Sequence, residues 1–146
     1  MKKGIYIGSL PGESAEERFR NAAECGFESV EVSTLRNEAE RREVKEISER
    51  YGVQVSSVMG SDQWQYPLSD PDPAVVQRSL AGLEDSIETA CYMGTDVVLV
   101  VPGVVKPDVP YEEVYRRSAE AIRQILPLAE ERGVCLAVEN VWNKFL

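Results

Sequence analysis

Val134-Cys135-Leu136-Ala137-Val138-Glu139 reads as a short β-strand that ends on a carboxylate, seven residues before the chain stops at Leu146. Gly133 precedes it, and a long charged helical stretch precedes that glycine. The same module of charged helix, glycine and Val/Ile-rich strand recurs along the chain: Gly26 leads into residues 29–33, Gly52 into 53–58, Gly94 into 96–101 and Gly133 into 134–139. Met1-Lys2-Lys3-Gly4-Ile5-Tyr6-Ile7-Gly8 adds a first strand, because its apolar run is too short for a signal peptide. Strands that alternate with helices in this way imply right-handed βαβ crossovers and a parallel α/β sheet. An acid at the C-terminal end of such a strand stands where these folds place their chemistry.

A chain of 146 residues is enough for one domain spanning 1–146. With 43% apolar and 28% charged residues it reads as globular and not disordered. No stretch approaches the roughly 18 apolar residues of a membrane span. The net charge of −9 argues against a general nucleic-acid or anionic-membrane surface, either of which needs a cationic stripe. Cys25, Cys91 and Cys135 give neither a disulfide framework nor zinc spacing, and read as buried, reduced thiols of a cytoplasmic protein. The chain contains no histidine, so a Cys/His site, a histidine general base and a histidine-based triad are excluded within it.

Helix signals are explicit. Ser14 with Glu17, and Asn37 with Glu40, form capping-box patterns, and Asp72-Pro73 is an N-cap followed by a first-turn proline for a helix running to about Met93. A fourth helix runs from near Pro110 to Arg132, and Pro127 inside it is expected to kink or break it by removing the bond to the Arg123 carbonyl. The glycines that close the helices fit left-handed C-caps. Two longer irregular segments, 59–71 with Ser61, Asp62, Gln63, Trp64, Gln65 and Tyr66, and 102–109, both follow the C-terminal ends of strands. The turns at the opposite end are short, the asymmetry expected when one rim is structural and the other binds ligand.

Strand alternation sharpens the expectation. Val134, Leu136 and Val138 oppose Cys135, Ala137 and Glu139, while Val30 and Val32 oppose Ser29, Glu31 and Ser33. The branched faces should pack on helices and the small or polar faces should look into a barrel. Glu31 and Glu139 then share the inner side near one rim. Glu31 is either a structural acid bonded to a neighbouring strand or a site residue. A buried carboxylate costs several kcal/mol unless a cation or metal pairs it, and only Lys144 is near Glu139 in sequence. That favours a role as ligand or base for Glu139.

Cys25-Gly26-Phe27-Glu28-Ser29-Val30-Glu31-Val32 resembles the second strand of xylose-isomerase-like TIM barrels. Val138-Glu139-Asn140-Val141-Trp142-Asn143 resembles the fifth strand of their sugar phosphate isomerase/epimerase branch. Leu126-Pro127-Leu128-Ala129-Glu130 and Val100-Val101-Pro102-Gly103 fit the same pattern. The resemblance spans the chain but only about five of eight βα units, so it implies an incomplete (β/α)8 TIM barrel of about five strands and four helices. It implies a metal-dependent isomerase or epimerase of a sugar or sugar phosphate acting through an enediolate. In that family a divalent ion (Mg²⁺, Mn²⁺, Co²⁺ or Zn²⁺) is held by carboxylates and a histidine from strands five to eight. By the match, Glu139 is both metal ligand and acid/base residue, and Glu31, Trp64 and Asn140 line the substrate pocket; Trp64 and Trp142 equally suit packing.

The later ligands have no counterpart here, so this polypeptide alone is expected to be inactive. Phe145-Leu146 carries no polar tail and suits the N-terminal part of a barrel of roughly 250–280 residues. The open edges of strands one and five imply aggregation, homo-oligomerisation or pairing with a missing C-terminal half. Alternatives are a dehydratase on the same scaffold, or a non-catalytic half-barrel that oligomerises. An abasic-site endonuclease is disfavoured by the acidic balance. The competing fold is a flavodoxin-like open sheet, but Gly8-Ser9-Leu10-Pro11-Gly12 matches no phosphate-binding loop.

Overall fold

A computed structural model describes residues 2–105, 109–139 and 141. Five strands and four long helices alternate: β1 (Gly4–Tyr6), α1 (Ala15–Glu24), β2 (Ser29–Ser33), α2 (Glu38–Tyr51), β3 (Gln54–Met59), α3 (Pro73–Met93), β4 (Val97–Val100), α4 (Tyr111–Glu131) and β5 (Cys135–Val138). A 3-10 turn, Ile7–Ser9, follows β1. The sheet order is β1-β2-β3-β4-β5 and every neighbouring pair is parallel.

That order decides the architecture. Each crossover moves one strand in the same direction, so crossovers of one hand place every helix on the same side of the sheet. The packing agrees: α1 lies against α2, α2 against α3 and α3 against α4. A flavodoxin-like sheet reverses its strand order and carries helices on both faces, so that alternative is ruled out. The arrangement is the wall of a (β/α)8 barrel.

The core lies between sheet and helices. Val30, Val32, Val55, Val58, Val98 and Val100 meet Phe19, Ala22, Ile47, Leu83, Ile87, Ala121 and Ile125, all buried. Among the described residues β5 is an edge strand, paired with β4 and packed by α4, and Val138 is 45% exposed. Ser14 and Asn37 cap α1 and α2 as expected, accepting from the N–H groups of Glu17 and Glu40 at 3.2 and 3.0 Å. The carboxylates of Glu17 and Glu40 reach past the caps to the N–H groups of Glu13 and Arg36. Asp72 caps α3 through Ala74 N–H at 2.9 Å. Gly52 and Gly94 end α2 and α3 in the left-handed conformation.

Two expectations change. The cysteines are free and exposed, not buried: Cys25 is the C-cap of α1, Cys91 lies on the outer face of α3, and Cys135 lies on the open face of the sheet. Pro127 does not divide α4, which runs unbroken from Tyr111 to Glu131. The solvent on its exposed side can hydrate the orphaned Arg123 carbonyl. A further irregularity, not anticipated from the sequence, lies in β3. Alternation fails between Val30 and Glu31, where Ser29 and Val30 pair with Gln54 and Val55 but Glu31 pairs with Ser57. Ser56 is the extra residue of a β-bulge. No helix among the described residues is long and apolar enough to cross a membrane.

On α4 the Glu113 carboxylate receives Arg116 Nε and Nη2 at 2.9 and 2.8 Å and Arg117 Nε at 2.8 Å. These hydrogen bonds, that of Arg116 foremost, lower its pKa to about 2. The folded value lies below the unfolded one, so the stabilisation is present above the ordinary carboxylate range and is lost as pH falls towards 2. The Glu113 carboxyl resonance should therefore titrate near pH 2, and Arg116→Ala should bring its midpoint back up. A midpoint in the usual glutamate range before mutation would contradict the bonded cluster. In urea unfolding, Phe19→Ala should lose about 3–5 kcal/mol, because the ring is fully buried. Pro127→Ala should gain about 1–3 kcal/mol by restoring a helix-compatible residue at an exposed position.

Candidate functional site

The sheet face turned away from the helices is built from rows of paired residues. Tyr6, Glu31 and Ser57 form one row; Ser33, Met59, Leu99 and Ala137 form the next. The bulge at Ser56 sets Ser57 opposite Glu31, whose Oε2 accepts a hydrogen bond from Ser57 Oγ at 2.7 Å. The Tyr6 and Ser33 hydroxyls, 3.0 Å apart, link the rows. Glu31 thus has the neighbouring-strand bond anticipated for a structural acid, while lying on the inner face.

Glu139 stands one residue beyond β5. Its N–H donates to the Val100 carbonyl at 3.0 Å, which extends the β4–β5 ladder by one step. Strand alternation carries it to the side of Cys135 and Ala137. It is exposed, so the desolvation argument made for it from sequence does not apply: five strands leave their inner face open to water. In register, Glu139 lies two residues above the Ala137 row, and Glu31 two residues below it. At about 3.3 Å per residue, roughly 13 Å along the strands separates the two acids. They share a face but not a layer: Glu139 is at the rim and Glu31 beneath it. Asn140 and Trp142 lie outside the described residues.

Trp64 is on the loop after β3, at the same rim as Glu139, and is 42% exposed. The loops there are tied to α3 by hydroxyls. Thr34 N–H donates to Ser61 Oγ and Ser61 N–H to Thr34 Oγ1, at 3.1 and 3.2 Å. Thr34 Oγ1 is 2.8 Å from Ser86 Oγ on α3, and Thr89 Oγ1 on α3 accepts from the Leu35 N–H at 3.1 Å while its own proton is within reach of the Asp85 carbonyl at 2.7 Å. Arg36 bridges Asp62 at 2.5 Å and Asp85 at 3.3 Å. Partial burial opposes the Arg36 charge, but the bonds to Asp62 and Asp85 outweigh it and raise the pKa further above its ordinary value. The sequence showed these residues but not their pairing, since Thr34 and Ser86 are 52 positions apart.

Among the described residues no group of three or more His, Cys, Asp or Glu side chains could hold a metal ion. Glu139 is a single hard-oxygen donor, so these residues do not by themselves make a metal site. A surface groove of about 260 Å³ lies between the 68–73 segment and α4, outside the barrel wall and away from Glu139.

A profile of the family described as Xylose isomerase-like TIM barrel matches residues 19–146. "Putative L-ribulose-5-phosphate 3-epimerase SgbU" of Haemophilus influenzae is 26% identical over 160 aligned positions, covering 100% of this chain and 56% of that protein. The 2-epi-5-epi-valiolone 7-phosphate 2-epimerase of an Actinoplanes species is 33% identical over 99 residues, covering 68% of this chain and 35% of the relative. A crystal structure of a D-tagatose 3-epimerase-like protein superimposes with a TM-score of 0.80 at 21% identity, over 97% of this chain and 53% of the other. The chain spans about half the length of the first of these relatives. With the profile matched over most of its length, the chain belongs to the xylose isomerase-like TIM barrel family.

Proposed function

We propose that the chain is the N-terminal part of a (β/α)8 enzyme that epimerises or isomerises a ketose or ketose phosphate, with Glu139 as an acid/base group. The supporting observation is the position of Glu139: a carboxylate one step beyond the β4–β5 ladder, at the rim where the 59–71 loop also ends. The epimerase relatives matched along the chain agree with this chemistry.

A proton on carbon next to a carbonyl is weakly acidic, and its removal leaves an enediolate. The Glu139 carboxylate accepts that proton from one face of the sugar. Return of a proton to the opposite face, by a second acid, inverts the carbon; return by Glu139 to the neighbouring carbon moves the carbonyl. The second acid is not among the residues described. Trp64 supplies an apolar wall beside the substrate and Asn140 a polar contact next to Glu139. Glu31, held by Ser57, forms part of the floor. A divalent cation would polarise the carbonyl in the complete barrel, with Glu139 contributing one ligand and the remaining ligands coming from outside this chain.

A second reading, pairing of two copies or of this chain with a separate C-terminal half, is favoured by β1 and β5, which among the described residues are edge strands, each with one side unpaired. Light scattering on the isolated chain would separate a defined dimer from a monomer or aggregate.

Two outcomes test the catalytic reading. In the complete enzyme, Glu139→Gln should lower ketose turnover by 10²-fold or more, a loss in the range typical of an acid/base group, about 10²–10⁴; retained turnover removes Glu139 from the mechanism. The 146-residue chain alone should show no metal-dependent exchange of the ketose α-proton with deuterium by NMR. Exchange at the enzyme's rate would show that this part is sufficient.

A further inference from the structure

The turn that carries Trp64 is closed at its base by backbone bonds. The N–H groups of Gln65 and Tyr66 both donate to the Asp62 carbonyl, at 3.1 and 2.8 Å. The two residues before Trp64 are anchored in different directions. Asp62 is tied outward, its carboxylate bonded to Arg36 and set against α3 at Gly82. Gln63 is tied inward and only 2% exposed, its Oε1 accepting the Val101 N–H just past β4. Its amide lies against Gly60, and its Nε2 has no partner among the described residues. Tyr66, beyond Trp64, is covered by the Arg78 guanidinium 4.0 Å above its ring.

Two glycines match these anchors. A Cβ at Gly82 would stand 2.6 Å from Oδ2 of Asp62, and a Cβ at Gly60 would stand 3.0 Å from the Gln63 amide carbon. Gly82 lies inside α3, where alanine is ordinarily the better residue. Neither glycine has a positive φ, so neither is required by its backbone conformation. Their missing side chains make room for Asp62 and Gln63.

We propose that Asp62 and Gln63 are positioning residues that clamp the 62–66 turn on two sides and so hold Trp64 as a fixed wall at the barrel mouth, with Gly82 and Gly60 as the matching sockets. The clamp itself follows from the packing; its effect on substrate rests on the function proposed above. A loosely held indole would lose ring orientation each time a ligand bound, and ordering it would subtract from affinity. A clamped one is preorganised.

The test uses the complete polypeptide with every tryptophan other than Trp64 replaced by phenylalanine. Gly82→Ala should lower Tm, against the usual helix preference, and should raise it once Asp62→Ala has emptied the socket. Asp62→Ala, Gln63→Ala and the milder Arg36→Ala, which removes only a surface partner, should each lower the fluorescence anisotropy of Trp64. In steady-state kinetics on a ketose, the same variants should raise KM several-fold while kcat holds. A Gly82→Ala variant that raises Tm on its own, or an unchanged Trp64 anisotropy in all three anchor variants, would overturn the clamp. If anisotropy falls but neither these variants nor Trp64→Ala alters KM, the clamp stands and the placement of Trp64 beside the substrate is wrong.

Discussion

The uniform direction of the crossovers is the constraint from which the rest of this structure follows. Because β1 to β5 lie in chain order, every helix falls on one side, and the sheet acquires two chemically different faces. The helix-side face is valine-rich and dry. The other carries Tyr6, Glu31, Ser33, Ser57 and, at its upper edge, Glu139. A doubly wound sheet would have buried both faces and left no place for a row of hydroxyls and acids. The rim is set by the same constraint, since parallel strands send all their C-terminal ends, and therefore the 59–71 loop, to one end.

Within that frame, one inserted residue decides how the inner face is layered. Ser56 shifts the β3 register, so that Ser57 meets Glu31 and the pattern recovers at Val58. Without the bulge, Glu31 would face Ser56 and the next valine would turn from the core. The bond from Ser57 gives Glu31 a partner low on the face. Glu139, four register steps higher, is exposed at the rim. Two acids with the same alternation thus occupy different environments.

α3 serves as a post for the rim. Its sheet-side surface carries Ser79, Gly82, Ser86 and Thr89 among the larger apolar residues, all four buried. Small side chains let the loops after β2 and β3 approach the helix closely, and the hydroxyls of Ser86 and Thr89 bond the loop groups that would otherwise lose their hydrogen bonds on burial. The Arg36–Asp62–Asp85 bridges lie at the more exposed margin of this contact. Their value is geometric more than energetic, because partly exposed ion pairs add little stability.

Much of the architecture was legible in the chain. Ser14, Asn37 and Asp72 marked helix starts, the closing glycines marked helix ends, and the Val/Ile runs marked the strands, because each signal is local and set by backbone chemistry. The strand-end position of Glu139 and the family membership were also readable, the latter from short motifs in a fixed order. The spacing Val55 to Val58, three residues and not two, was a visible sign of the bulge that simple alternation overlooks. What only the tertiary structure decided were relations between distant residues: the exposure of Cys135 and Glu139 on an open face, the two layers that part Glu31 from Glu139, and the sockets at Gly60 and Gly82. Those depend on register, curvature and which surfaces are covered. A sequence specifies local preference directly, but it specifies such relations only through the packing of the whole chain.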